Sequence, residues 1–170
     1  AKGGRLARIE QHENRTTNTS LKQAMNLHRK AHLIRTFLQR MLHRHGFGIQ
    51  SPWAYEMVRD VLFEQLHYYA YEDQGLRTQS QRQLFRIKNH FSPHLVVVID
   101  KVGNEAESMY RHAMENATPQ MALVIEHIDD DNACLWQRAV GDARAIVTFD
   151  MGSRGLVTFD NKRIKQNYLL

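Results

Sequence analysis

Cysteine is almost missing. Cys134 stands alone among 170 residues, so no disulfide can form within the chain. That usage fits a reducing compartment, and a cytoplasmic setting is expected. Proline is scarce too. Pro52, Pro93 and Pro119 each stand where a regular element should begin or end rather than inside one. No run of eighteen apolar residues occurs, so no membrane-spanning helix is expected. The first residues are polar and basic, without the apolar stretch of a signal peptide. Acidic charge is nearly absent from one part of the chain. Residues 1–45 hold ten Lys or Arg against only Glu10 and Glu13, a net +8, and the rest of the chain carries a net −3. The overall +5 is therefore a basic arm ahead of a mildly acidic body. Such an arm can meet nucleic acid, an acidic surface or the body itself. There is no internal repeat and no low-complexity tract.

Read in order, residues 1–19 lack apolar periodicity after Ile9 and predict a flexible basic tail. Residues 20–92 predict a helical region. Thr19 or Ser20 can cap a helix starting at Leu21, and Ala24, Leu27, Ala31, Ile34, Leu38 and Met41 recur at spacings of three and four along one side of it. Gly46 and Gly48 should stop it near Arg44. Arg29, Lys30, Arg40 and Arg44 are this helix's candidates for phosphate contacts, and His28 and His32 share a face but lack an evident third metal ligand. Ser51 and Pro52 open a helix expected to reach about Leu66 and to bury Trp53, Met57, Val58, Val61 and Leu62. Tyr68, Tyr69 and Tyr71 follow, expected against the sheet edge, with stacking on bases as the alternative use. A short helix over Gln83–His90 ends at Ser92-Pro93.

Residues 93–170 predict an α/β unit. Leu95–Ile99, apolar on both faces, ends in Asp100 and should be central or covered, and Met121–Ile125 ends in Glu126. A helical pattern over Glu105–Asn116 separates them. Apolar strand, helix, apolar strand is the signature of neighbouring parallel strands covered on both faces. One of Asp129, Asp130 and Asp131 should cap a helix over Ala133–Val140. Arg144–Asp150 and Gly155–Asp160 should form a hairpin at the far edge, and Ile164–Leu170 can add a terminal strand.

Several stretches, in this order, suggest a family. Val96-Val97-Val98-Ile99-Asp100, Leu123-Val124-Ile125-Glu126-His127-Ile128-Asp129, Trp136, Val147-Thr148-Phe149-Asp150 and Gly155-Leu156-Val157-Thr158-Phe159 resemble the second half of a class I S-adenosylmethionine-dependent methyltransferase, in a bacterial branch similar to the small-molecule O-methyltransferases. The stretch His45-Gly46-Phe47-Gly48-Ile49-Gln50-Ser51-Pro52-Trp53 is similar to that branch's His-Gly-x-x-x-His-Ser-Pro-Phe signature. The resemblance spans about residues 40–170 and implies a truncated Rossmann-like mixed sheet of about four strands, preceded by the N-terminal helical region. It also implies a cofactor site that this chain has lost. The Gly-rich turn after the family's first strand, where only glycine lets the backbone approach a cofactor, has no counterpart, because Phe91-Ser92-Pro93 runs almost directly into what matches the fourth strand. The alternative alignment makes Leu95–Gly103 a worn first strand, with Asp100 and Gly103 flanking a vestigial cofactor loop and Glu126 beyond it.

Three function classes follow. The first is a methyltransferase-like pseudoenzyme without catalysis, acting by binding or assembly, with no cofactor expected and S-adenosylmethionine held only if an altered loop at Asp100, Gly103 and Glu126 retains it. The second is a magnesium-dependent phosphoryl-transfer or nuclease-type enzyme using Asp100, Glu126, Asp129 and Asp150 at the strand ends. The third is nucleic-acid binding through Arg29, Lys30, Arg40 and Arg44. With the first strands missing, the Leu95–Ile99 edge is bare and must be covered, either by the Leu21–Leu42 and Pro52–Leu66 helices or by a second copy; a homodimer is expected, with the Leu21–Leu42 helix or that edge in its interface.

Overall fold

The computed structural model describes Leu38, Arg40, Met41 and residues 48–170. The tail of residues 1–19, most of the first helix with His28, Arg29, Lys30, His32 and Arg44, and the bend at Gly46 lie outside the described residues. Leu38, Arg40 and Met41 are helical, as expected of that stretch.

The described elements run as α1 (Pro52–Glu56), a π-helical turn (Met57–Leu62), α2 (Tyr69–Asp73), α3 (Gln79–Phe91), a 3-10 turn (Pro93–Leu95), β1 (Val96–Ile99), α4 (Gly103–Glu115), β2 (Ala122–Glu126), α5 (Ala133–Gly141), β3 (Val147–Asp150), β4 (Arg154–Thr158) and β5 (Gln166–Leu169). The architecture is α/β, with an open mixed sheet of five strands in the order β1-β2-β4-β3-β5. β1 pairs parallel with β2, Val97 opposite Leu123, as expected. β4 pairs antiparallel with both β2 and β3, and β5 pairs parallel with β3. β4 is therefore the single strand running against the other four. No described helix is long and apolar enough to cross a membrane.

Side chains alternate across the sheet because successive strand residues point to opposite faces. Leu123, Ile125 and Val157 join Ala106, Tyr110, Leu135 and Trp136 in a core beneath α4 and α5. Ala122, Val124, Phe149 and Leu156 join Met57, Val58, Leu62 and Ile87 in a second core beneath α1, the π-turn and α3. Both faces of β2 are filled, which is why its sequence reads as a continuous apolar run.

Several expectations need correction. Five strands form rather than about four, and the β3–β4 hairpin is interior, because β5 adds its own backbone bonds beyond β3: the Gln166 amide donates to the Ile146 carbonyl at 2.9 Å. β1 is the outer strand of the described sheet rather than a central one, but it is covered on both faces, Val97 packing against one core and Val96 and Val98 against the other, each half-buried. The helix from Pro52 stops at Leu62, not Leu66. Its last carbonyls are taken by α3 side chains instead of by a further turn: Arg86 Nε reaches Val61 O at 2.6 Å, and Gln83 Nε2 reaches Leu62 O at 2.9 Å. α3 begins four residues before the expected Gln83 because Thr78 and Gln81 form a reciprocal capping box. Tyr71 packs edge-on against Phe85 of α3 rather than against the sheet edge, and Tyr69 is 87% exposed. None of the three aspartates caps α5. Asn132 precedes it and makes no side-chain cap; its amide donates instead to the Lys101 and Glu126 carbonyls, both at 2.9 Å, joining the ends of β1 and β2.

Candidate functional site

The chain direction of β1, β2 and β3 brings their carboxyl ends to one edge of the sheet, where open α/β sheets place their sites. Asp100 follows β1, Glu126 ends β2 and Asp150 ends β3, so the topology gathers three of the four expected carboxylates at that edge. The strand order then separates them. β4 starts between Glu126 and Asp150 with Arg154, opposite Glu126 in register. Two strand spacings, roughly 10 Å, therefore divide the backbones that carry these carboxylates, and Arg154 of the strand between them holds Glu126.

Arg154 also consumes what it touches. Its guanidinium is buried, and its five N–H groups meet five acceptor contacts. Nε and Nη2 hold Glu126 Oε1 at 2.8 and 2.6 Å, Nη1 holds Ser80 O and Gln83 Oε1 at 2.7 and 3.0 Å, and Nη2 holds Ser80 Oγ at 2.8 Å. β2, β4 and α3 are thus tied through one side chain. Asp150 accepts from Arg40 Nη2 at 3.0 Å and from the Gly152 amide at 2.9 Å. Of the three arginines and one lysine expected to meet nucleic acid, Arg40 is the one described, and it is spent on this ion pair.

The remaining expected residues stay apart. Asp100 and Asp129 are exposed, Asp129 in the turn after β2. Gly103 opens α4 at φ +64°, a left-handed conformation that glycine reaches without strain, and a Cβ there would meet nothing within 4 Å. Among the described residues no group of three or more His, Cys, Asp or Glu is placed to hold a metal ion.

What the sequence reading passed over is the cleft beside this edge. A space of about 880 Å³ opens between the π-turn, the first turns of α3 and the β3–β4 connection, lined among others by Tyr55, Leu62, Ser80, Arg86, Met151 and Ser153. Arg59 and Asp60 sit in its wall as a pair at 2.5 Å, and the hydrogen bond from Arg59 holds the Asp60 carboxyl below its usual range. Arg86 is buried, donating to Val61 O, Leu62 O and Tyr71 Oη. A sequence signal existed: Ser80, Gln83 and Arg86 recur every third residue, one polar stripe along a helix flanked by Leu84 and Ile87. Starting the helix at Gln83 hides the stripe.

No protein-family model, no curated protein and no solved structure matches this chain.

Proposed function

We propose that the chain is a methyltransferase-like module that has lost S-adenosylmethionine binding and catalysis and acts by binding or assembly. The carrying observation is the strand order: β3 and β4 form a hairpin whose second strand lies against β2 in the sequence β1-β2-β4-β3. A hairpin detached from β2 would have contradicted the methyltransferase resemblance; its attachment supports it. The truncated Rossmann-like label belongs to the same reading, with β5 as an addition at the far side.

Loss of the cofactor site is supported by what occupies its expected residues. Glu126 is held by Arg154 through Oε1, and Gly103 opens a helix directly after a four-residue strand and a short link, without a Gly-x-Gly turn. Melting the full chain with S-adenosylmethionine tests this. A ligand at a hundred times its dissociation constant adds about 2.7 kcal/mol, roughly 5–10 °C for a domain of this size. The expected result is no shift; a saturable rise of that order, or methyl transfer to any acceptor, would end this reading.

Assembly rests on β1. Among the described residues no strand pairs with its outer edge, and Val96, Val97 and Val98 are half-buried with neither Lys nor Pro inside the strand to discourage pairing. The proposed partner is a second copy, edge to edge about a twofold axis. Sedimentation at micromolar concentration is expected to give twice the 19.9 kDa chain mass. A monomer at that concentration excludes the dimer.

A further inference from the structure

Buried charges in proteins are paired, and an exception calls for an explanation. Three guanidinium groups line the cleft beside the carboxyl edge of the sheet. Arg59 is neutralised by Asp60 and Arg154 by Glu126. Glu64, the other acid in the lining, turns back onto the Leu66 amide at 2.8 Å. Arg86 differs. It is only 8% exposed, and among the described residues it pairs with no carboxylate. Its three hydrogen bonds go to two carbonyls and a tyrosine hydroxyl, so two of its five N–H groups have no partner among the described residues.

A second feature converges on the same space. The first turn of α3 lines the cleft through Gln79 and Ser80. The capping box satisfies the Thr78 and Gln81 amides and leaves those of Gln79 and Ser80, the first two of the helix, without an acceptor among the described residues. A thirteen-residue helix directs the positive end of its dipole there. The Ser80 hydroxyl oxygen already accepts from Arg154, so its proton is available to donate. Tyr55, Leu62 and Met151 supply apolar wall.

We infer that this cleft binds a small ligand carrying an oxyanion, a carboxylate or a phosphate, on an apolar body, with Arg86 and the first turn of α3 receiving the charged group. A mobile anion would complete the neutralisation that the chain supplies to Arg59 and Arg154 but not to Arg86. The inference goes beyond the methyltransferase-like reading and does not depend on it, because neither probe below is S-adenosylmethionine.

The test uses the full chain at constant ionic strength, with chloride exchanged for millimolar inorganic phosphate in one arm and for benzoate in the other. Melting temperature and the backbone amide signals of Gln79, Ser80 and Ser153 are followed. A saturable rise with shifts at those amides is expected in at least one arm, and the arm that responds identifies the head group. Arg86 supports the fold, so its replacement is uninformative, and Ser153 serves instead: it is exposed and lines the cleft. Ser153→Glu should weaken binding roughly tenfold or more, and Ser153→Lys should strengthen it, through charge alone. No saturable response in either arm, or an equal response in Ser153→Glu and the wild type, would overturn the inference and leave water as the partner of the two spare N–H groups.

Discussion

Arg154→Ala is expected to lower the unfolding free energy by about 3–5 kcal/mol, the cost of breaking a buried ion pair from one side. The side chains of Arg154 and Glu126 are 6% and 17% exposed, so solvent does little to screen the carboxylate left behind. The same change removes the donor that Ser80 O, Ser80 Oγ and Gln83 Oε1 share, and with it the link between the start of α3 and β4. Domains of this kind are stable by only about 5–15 kcal/mol, so the loss is a large share. Urea unfolding should show the midpoint fall with little change in slope. Asp100→Ala is the control. Asp100 stands at the same sheet edge but is exposed, and its replacement should stay within about 0.5 kcal/mol of the wild type.

The double variant separates the ion pair from the rest. Arg154→Met combined with Glu126→Gln removes both charges, leaves a neutral side chain in each place, and should recover a substantial part of the single-variant loss. Additive losses would mean that Glu126 contributes little and that the bonds to Ser80 and Gln83 carry the stabilisation.

The parallel pair β1–β2 was legible because both strands are continuous apolar runs divided by a helical pattern, and such strands read the same whatever packs on them. The width of the sheet was not. β5 is Gln166-Asn167-Tyr168-Leu169, a polar strand whose pairing with β3 is decided by long-range backbone bonds and by Thr148 Oγ1 donating to Asn167 Oδ1 at 2.8 Å. Tertiary context outweighs propensity in such a strand.

The carboxyl-edge residues were placed correctly along the chain but not in space. Periodicity puts Asp100, Glu126 and Asp150 at strand ends; only the strand order reveals that Arg154 is inserted between the last two. An arginine opening an interior strand looks, in one dimension, like one more surface charge. The cleft was hidden by a boundary error of four residues, since missing the Thr78–Gln81 capping box removes Ser80 from α3 and with it the stripe that ends in Arg86.

The second large effect is expected at Gly155. A Cβ at this position would lie 2.4, 2.6 and 2.8 Å from the Cζ3, Cε3 and Cη2 atoms of Trp136, closer than real carbon contacts allow. The obstacle is a rigid ring, 3% exposed and packed among Ala139, Ile125 and Val157, so it cannot swing into solvent. Gly155→Ala must tilt the indole off its rotamer or push α5 away from β4. The expected cost is about 3 kcal/mol, at the upper end for overpacking a core. Trp136→Leu alone should cost about 3 kcal/mol through the cavity it opens. Combined, the two should not add, because the leucine leaves space for the new methyl group: Gly155→Ala in the Trp136→Leu background is expected to cost under about 1 kcal/mol, a coupling of roughly 2 kcal/mol in the cycle. Strict additivity would show that the glycine answers a backbone need instead. Trp136 and Gly155 are two of the residues on which the methyltransferase resemblance was drawn, and the geometry makes them one packing contact, a strand glycine that lets an aromatic ring lie directly on the backbone of β4. Their joint presence in this chain therefore serves the fold whether or not any cofactor binds, and the coupling energy measures that role without reference to activity.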